Sequence, residues 1–142
     1  MMIATGKTNS SSTAMMIPPT IRFTLSSTLT HMSKPPYTPA IRSGNTIYIS
    51  GQLGVVDGAL VDGLDAQVRQ ALANMSALLE AEGGTLANVV KTTVLLDSID
   101  DYAAMNTAYA ESFGDHFPAR SAFAVQDLPR GGLVEIEAIA VL

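Results

Sequence analysis

The clearest alternation in the chain is near its C-terminus. In Leu133-Val134-Glu135-Ile136-Glu137-Ala138-Ile139-Ala140-Val141 the even positions are all apolar, while the odd ones mix aliphatics with two glutamates. A period of two predicts a strand, with Val134, Ile136, Ala138 and Ala140 facing a core and Glu135 and Glu137 on the other face. Residues 46–50 (Thr-Ile-Tyr-Ile-Ser) alternate too, with Ile47 and Ile49 together, and Gly51 follows where a bulge or a close backbone approach fits. Val55-Val56-Asp57-Gly58-Ala59-Leu60 predicts a hairpin, because Asp-Gly adopts the positive φ angles of a type I′ turn. Leu64, Val68, Leu72, Met75 and Leu79 recur at helical spacing, and Gly83-Gly84 supplies the stop. Residues 89–96 are β-branched and mostly apolar, which predicts a covered central strand. Ser98 is the expected N-cap of a second helix, with Asp100 and Asp101 in its first turn and Gly114 at its end. Tyr102, Asn106, Tyr109 and Phe113 form that helix's stripe. A strand over 121–128 then joins the C-terminal strand through the turn Pro129-Arg130-Gly131-Gly132.

This order predicts an α+β domain, a single mixed sheet with its two helices on one face. Two helices are too few to cover both faces, so the other face needs a partner. Residues 1–31 carry the polar run Asn9–Ser12 and Pro18-Pro19, and only 21–25 (Ile-Arg-Phe-Thr-Leu) alternates, as an edge strand does. We expect 1–31 to be a poorly ordered extension and 32–142 to be the domain, with Met32 opening Met-Ser-Lys just before the patterned region.

Composition narrows the chemistry. Hydrophobic residues make up 47% of the 142, enough for one core, and no apolar run approaches the ~20 residues of a membrane span. There is no cysteine, which excludes disulfides, thiolate metal sites and cysteine nucleophiles. The net charge of −5 argues against a nucleic-acid binder that works by neutralising phosphates. All 13 acids lie between Asp57 and Glu137, so the opening is acid-free and rich in Ser and Thr. That pattern admits an organelle transit segment, although a plain extension before a cytoplasmic domain is the simpler reading. His31 and His116 are far apart without ligand spacing, so no metal site is expected.

A few residues are hard to explain as scaffold. Glu135 and Glu137 sit on a largely apolar face and need cationic or hydrogen-bonding partners if that face is buried; a solvated face is the alternative. Arg120, in Phe117-Pro118-Ala119-Arg120-Ser121, is the expected partner, and its planar fork also suits a substrate carboxylate. A structural Arg–Glu pair is the plainer option. Asn106 lies on an apolar stripe, where its amide needs a specific partner, in the core, in a loop or on a ligand.

These blocks together resemble the RidA/YjgF family. Pro118-Ala119-Arg120-Ser121, then Leu128 and Val134-Glu135-Ile136, is similar to its C-terminal signature. Pro36-Tyr37 and Ile49-Ser50-Gly51-Gln52 resemble its first glycine-rich strand region, and Val90–Val94 and Met105–Tyr109 its middle blocks. The resemblance covers 32–142. It implies a chorismate-mutase-like fold, a homotrimer whose sheets form a barrel, and clefts between subunits. It also implies hydrolysis of reactive 2-imino acids to 2-keto acids and ammonia without a cofactor. By the same resemblance Arg120 binds the substrate carboxylate and Glu135 stands near the attacking water. Tyr37, Ser50 and Gly51 line the cleft, Asn106 holds the polar position of the second helix, and the main chain of Ala122 touches the ligand. The alternatives it carries are a non-enzymatic carboxylate-binding or chaperone-like trimer and a ribonuclease; the acidic balance weighs against the last. Pro39, Gln126-Asp127 and Gly131-Gly132 depart from the family pattern, which bears on substrate range more than on the chemistry.

Overall fold

The computed structural model describes residues 34–142 and, before them, one strand at Ile21–Thr24. The expectations for the rest of 1–31, including His31, and for Met32 lie outside the described residues. In chain order the elements are β1 (Ile21–Thr24), β2 (Ala40–Ser43), β3 (Thr46–Leu53), β4 (Val55–Val56), β5 (Ala59–Leu60), α1 (Leu64–Ala81), β6 (Val89–Leu96), α2 (Tyr102–Phe113), β7 (Ala119–Ala124) and β8 (Val134–Val141).

The last strand goes to the middle of the sheet. The order is β1-β2-β3-β8-β6-β7, so β8 pairs along both of its edges, antiparallel to β3 and to β6. Only β6 and β7 run parallel. A parallel pair cannot be joined by a tight turn, and α2 supplies the crossover between them. The even residues of β8 are buried with Ile47, Ile49, Val94 and Leu96, and α1 covers them with Val68, Leu72, Met75 and Leu79. Each fully buried Val, Leu, Ile or Met among them contributes about 1.5–3 kcal/mol of apolar transfer. α1 lies over β3 and β8, and α2 packs beside α1. The other face of the sheet carries no helix and presents Tyr48, Phe123 and Val141 as exposed apolar groups. Among the described residues no helix is long and apolar enough to cross a membrane.

The pattern reading holds for the helices, the α+β class and the faces of β8. Several details differ. β3 continues three residues past Ser50, through a bulge: Ile49 pairs with Ala138 and Gln52 with Ile136, leaving Ser50 and Gly51 opposite the single residue Glu137. The Asp57-Gly58 hairpin forms, with φ of 50° and 82° at its two turn residues, but β4 and β5 pair only with each other. The sheet is therefore accompanied by a separate two-stranded ribbon. β2 is too short for alternation to reveal; its one signal is the Gly44-Asn45 turn into β3. β6 is covered on one face only, with Val89, Thr92, Val94 and Leu96 buried and Val90 turned out at a second bulge. Ser98 does cap, accepting from the Asp100 amide (3.2 Å), but what it caps is a 3-10 turn, Ile99–Asp101, that leads into α2. β7 starts and ends earlier than expected, because it pairs with β6 and not with β8.

Candidate active site

Arg120 stands on the edge strand β7, in register with Thr92 of β6, whose side chain is buried under the helices. Neighbours in register share a face, so the guanidinium is on the helix side. One stripe of α2 receives it there: Tyr102, Met105, Asn106 and Tyr109, at i, i+3, i+4 and i+7, line a single flank. Nη2 donates to Asn106 Oδ1 (2.7 Å) and to the Tyr102 hydroxyl (3.3 Å), and Nη1 points to Met105 Sδ (3.7 Å). The guanidinium carbon lies 4.8 Å from the centre of the Tyr109 ring, a cation–π distance. Below it, the Tyr109 hydroxyl and Thr92 Oγ1 share a buried hydrogen bond of 2.7 Å, and burial raises the Tyr109 phenol above its ordinary pKa.

This cradle fixes the cation without neutralising it. Among the described residues Arg120 has no acidic partner; the ion pairs are Arg42–Glu82, Arg69–Asp65 and Arg69–Glu111. Its Nε–H also makes no hydrogen bond among them. A half-buried guanidinium held by neutral groups, with donors left over, is a site for an anion.

Among the described residues the backbone beside it is unpaired as well. Val125 N–H donates to the Leu96 carbonyl (2.9 Å). Successive peptide units of an extended strand point to opposite edges, so the amide and carbonyl of Ala122 turn away from β6, to the unpaired edge of β7.

The remaining residues gather elsewhere. At the β3 bulge the Ser50 hydroxyl donates to the Thr38 carbonyl (2.6 Å) and the Ser50 amide to the Pro39 carbonyl (2.9 Å). These two bonds hold the segment that carries the exposed Tyr37 against β3. Gly51 lies directly against the Glu135 side chain; a Cβ on it would be 2.7 Å from the Glu135 carboxyl carbon. Burial, and then the nearby Glu137, push the Glu135 carboxyl above its ordinary pKa. The same face holds an open cavity of about 380 Å³ lined by Tyr48, Ser50, Lys91, Thr93, Glu137 and Ile139.

Two groups thus emerge: Arg120, Asn106 and Ala122 at one side of the sheet, and Tyr37, Ser50, Gly51 and Glu135 at the other. Three strand spacings, ~14 Å, separate β3 from β7, and the guanidinium is on the opposite face from Glu135. The expected pairing of Arg120 with the glutamates is therefore absent within one chain. Alternation assigns faces correctly, but the partner depends on strand order, which alternation does not contain. Asn106 has its specific partner, and that partner is Arg120. The sequence reading missed Tyr102, Met105 and Tyr109 as the cradle. The available signal was a helical stripe that sets Tyr102 and Asn106 beside the buried Tyr109, polar groups at the margin of the core-facing residues Met105, Ala108 and Tyr109. Among the described residues no three acidic or histidine side chains gather as a metal site.

Comparison with known proteins identifies relatives of this chain. A family model described as endoribonuclease L-PSP matches residues 29–142. A Capra hircus protein named 2-iminobutanoate/2-iminopropanoate deaminase is 50% identical over 109 residues, covering 75% of this chain and 80% of the relative. The human protein of the same name is 47% identical over 109 residues, with the same two coverages. Among solved structures, RidA from an Antarctic Psychrobacter superposes with a TM-score of 0.75 at 41% identity, covering 78% of this chain and 92% of that one. TdcF from E. coli, solved with bound serine, gives 0.74 at 32% identity, covering 78% and 91%. On the match across 29–142 and the identity to these relatives, the chain belongs to the endoribonuclease L-PSP family, also called RidA/YjgF.

Proposed function

We propose that this protein hydrolyses reactive 2-imino acids, of the 2-iminobutanoate and 2-iminopropanoate type, to 2-keto acids and ammonia. In this reading it works as a homotrimer whose sites lie between subunits. The observation that carries the proposal is the Arg120 guanidinium, fixed by Asn106 and Tyr109 yet without a carboxylate partner among the described residues. The names of relatives up to 50% identical supply the substrate.

An imine carbon is already electrophilic, so the protein has to orient it, place a water and move that water's two protons to nitrogen. Arg120 grips the substrate carboxylate, helped by the outward peptide of Ala122. A neighbouring chain brings Glu135, Ser50, Gly51 and Tyr37 to the other side of the same substrate. Glu135 accepts a hydrogen bond from the water and takes its proton as oxygen adds to the C=N carbon. That proton passes to nitrogen to give a carbinolamine; the hydroxyl proton then moves to the same nitrogen as C=O forms and the C–N bond breaks, so ammonia leaves with both water protons and the keto acid is released. A carboxyl raised above its ordinary pKa is the stronger base for this transfer. Tyr37, on the exposed segment before β2, packs against the imine end. A net charge of −5 gives the ribonuclease alternative no support.

The test couples a threonine dehydratase to the purified protein and follows keto-acid formation. Wild type should speed it, and Arg120→Ala should lower the acceleration about 100-fold or more. Arg120→Lys should recover little, because ammonium cannot reproduce the fork. Near-full activity in Arg120→Ala would remove the arginine from the reaction.

A further inference from the structure

We infer that Tyr102 is a substrate-binding residue, whose phenolic O–H joins Arg120 in holding the carboxylate of the imino acid. The inference rests on the reading of Arg120 above and names a residue which that reading does not use.

It starts from an inventory of donors. Tyr102 is the first residue of α2, placed by the capped 3-10 turn that precedes it. Tyr102 is 41% exposed, whereas Tyr109, on the same stripe, is 4% exposed. Tyr109 is a floor: its ring lies under the guanidinium, and its hydroxyl is occupied by Thr92. Tyr102 differs in both respects. Its ring centre is 5.7 Å from the guanidinium carbon, a looser contact, so the group it brings closest is the hydroxyl. That oxygen accepts from Nη2 at 3.3 Å, longer than the 2.7 Å bond to Asn106.

A phenol oxygen that accepts a hydrogen bond keeps its own proton to give. Among the described residues no acceptor takes it. A carboxylate oxygen drawn to the guanidinium comes within reach of this O–H, and an O–H donated to a carboxylate is a charge-assisted bond. The Nη2 contact to Tyr102 is the longer and more exposed of the two, so it is the one that lengthens as the anion arrives. Asn106 keeps the fork in place meanwhile. The arrangement reads a free carboxylate next to the C=N carbon; an amide or ester at that position loses the charge-assisted half of both contacts.

The experiment compares Tyr102→Phe, Tyr102→Leu and Arg120→Ala in the coupled assay, read here as ammonia release so that 2-oxobutanoate can be added as a competitive probe. Tyr102→Phe keeps the ring and removes one oxygen. We expect KM and the inhibition constant of 2-oxobutanoate to rise about tenfold, with kcat changed by no more than about twofold. Tyr102→Leu should match Tyr102→Phe, because the hydroxyl and not the ring is the active part. Wild-type KM and inhibition in Tyr102→Phe beside an inactive Arg120→Ala would overturn this inference and leave the deaminase reading standing. So would a defect seen in Tyr102→Leu alone, which marks packing. Full activity in Arg120→Ala would overturn the underlying reading instead.

Discussion

A methyl group at position 51 would run into the Glu135 carboxylate, and nothing else lies among its three nearest contacts. What it meets is the free end of a flexible side chain, which can swing aside. The fold should therefore tolerate Gly51→Ala while Glu135 leaves its place. We expect the melting temperature to stay within about 2 °C of wild type. In the coupled assay kcat/KM should fall about 100-fold, the effect of misplacing a reacting group by roughly 1 Å. Wild-type kcat/KM in a folded Gly51→Ala would mean that the position of Glu135 does not matter to the reaction. At this scale the sequence was informative about which residues are odd: a glutamate on an aliphatic face, an amide in a helical stripe, an arginine after a proline. It said less about partners. Arg120 has a neutral cradle where a carboxylate was expected, and burial with Glu137 raises Glu135 instead of an arginine lowering it.

Between elements, one buried side chain ties three segments together. Gln67 of α1 donates from Nε2 to the Val61 carbonyl (3.0 Å) after the hairpin and accepts from the Leu133 amide (2.9 Å) at the start of β8. It is 5% exposed, and Gly54 packs against its backbone so closely that a Cβ would be 2.5 Å from the Gln67 Cα. Gln67→Leu keeps the bulk and strands a carbonyl and an amide. The expected cost is about 2–3 kcal/mol, read as a lower denaturation midpoint with an unchanged slope. An unchanged midpoint would show that water replaces both bonds. Periodicity found both helices and the hairpin because each is set by residues close in the chain. It did not find that Gln67 is buried, since glutamine at a helical position reads as surface.

For the whole molecule, the helix-free face is the feature that a single chain leaves unexplained. Tyr48, Phe123 and Val141 are exposed on it, and it holds a cavity lined by Tyr48, Lys91 and Glu137. The proposed trimer covers this face and joins the two half-sites of neighbouring chains. That arrangement makes a mixing experiment decisive. Arg120→Ala and Glu135→Gln should each be inactive alone. Unfolded and refolded together in equal amounts, they should recover about one quarter of wild-type activity, because about one interface in four then pairs an intact Arg120 with an intact Glu135. Recovery of none, in mixed trimers verified by mass, would place both residues in the same chain's site.

Local pattern was enough for the α+β class, the faces of β8, the hairpin turn and the family motifs, because alternation and helical spacing are written in neighbouring residues. Strand order was not written there. The insertion of β8 between β3 and β6 comes from long-range pairing, and with its register it puts Arg120 and Glu135 on opposite faces of the sheet. The phenol of Tyr102 beside the guanidinium has the same origin: α2 can cradle an arginine only once β7 has paired with β6 and carried Arg120 beneath it.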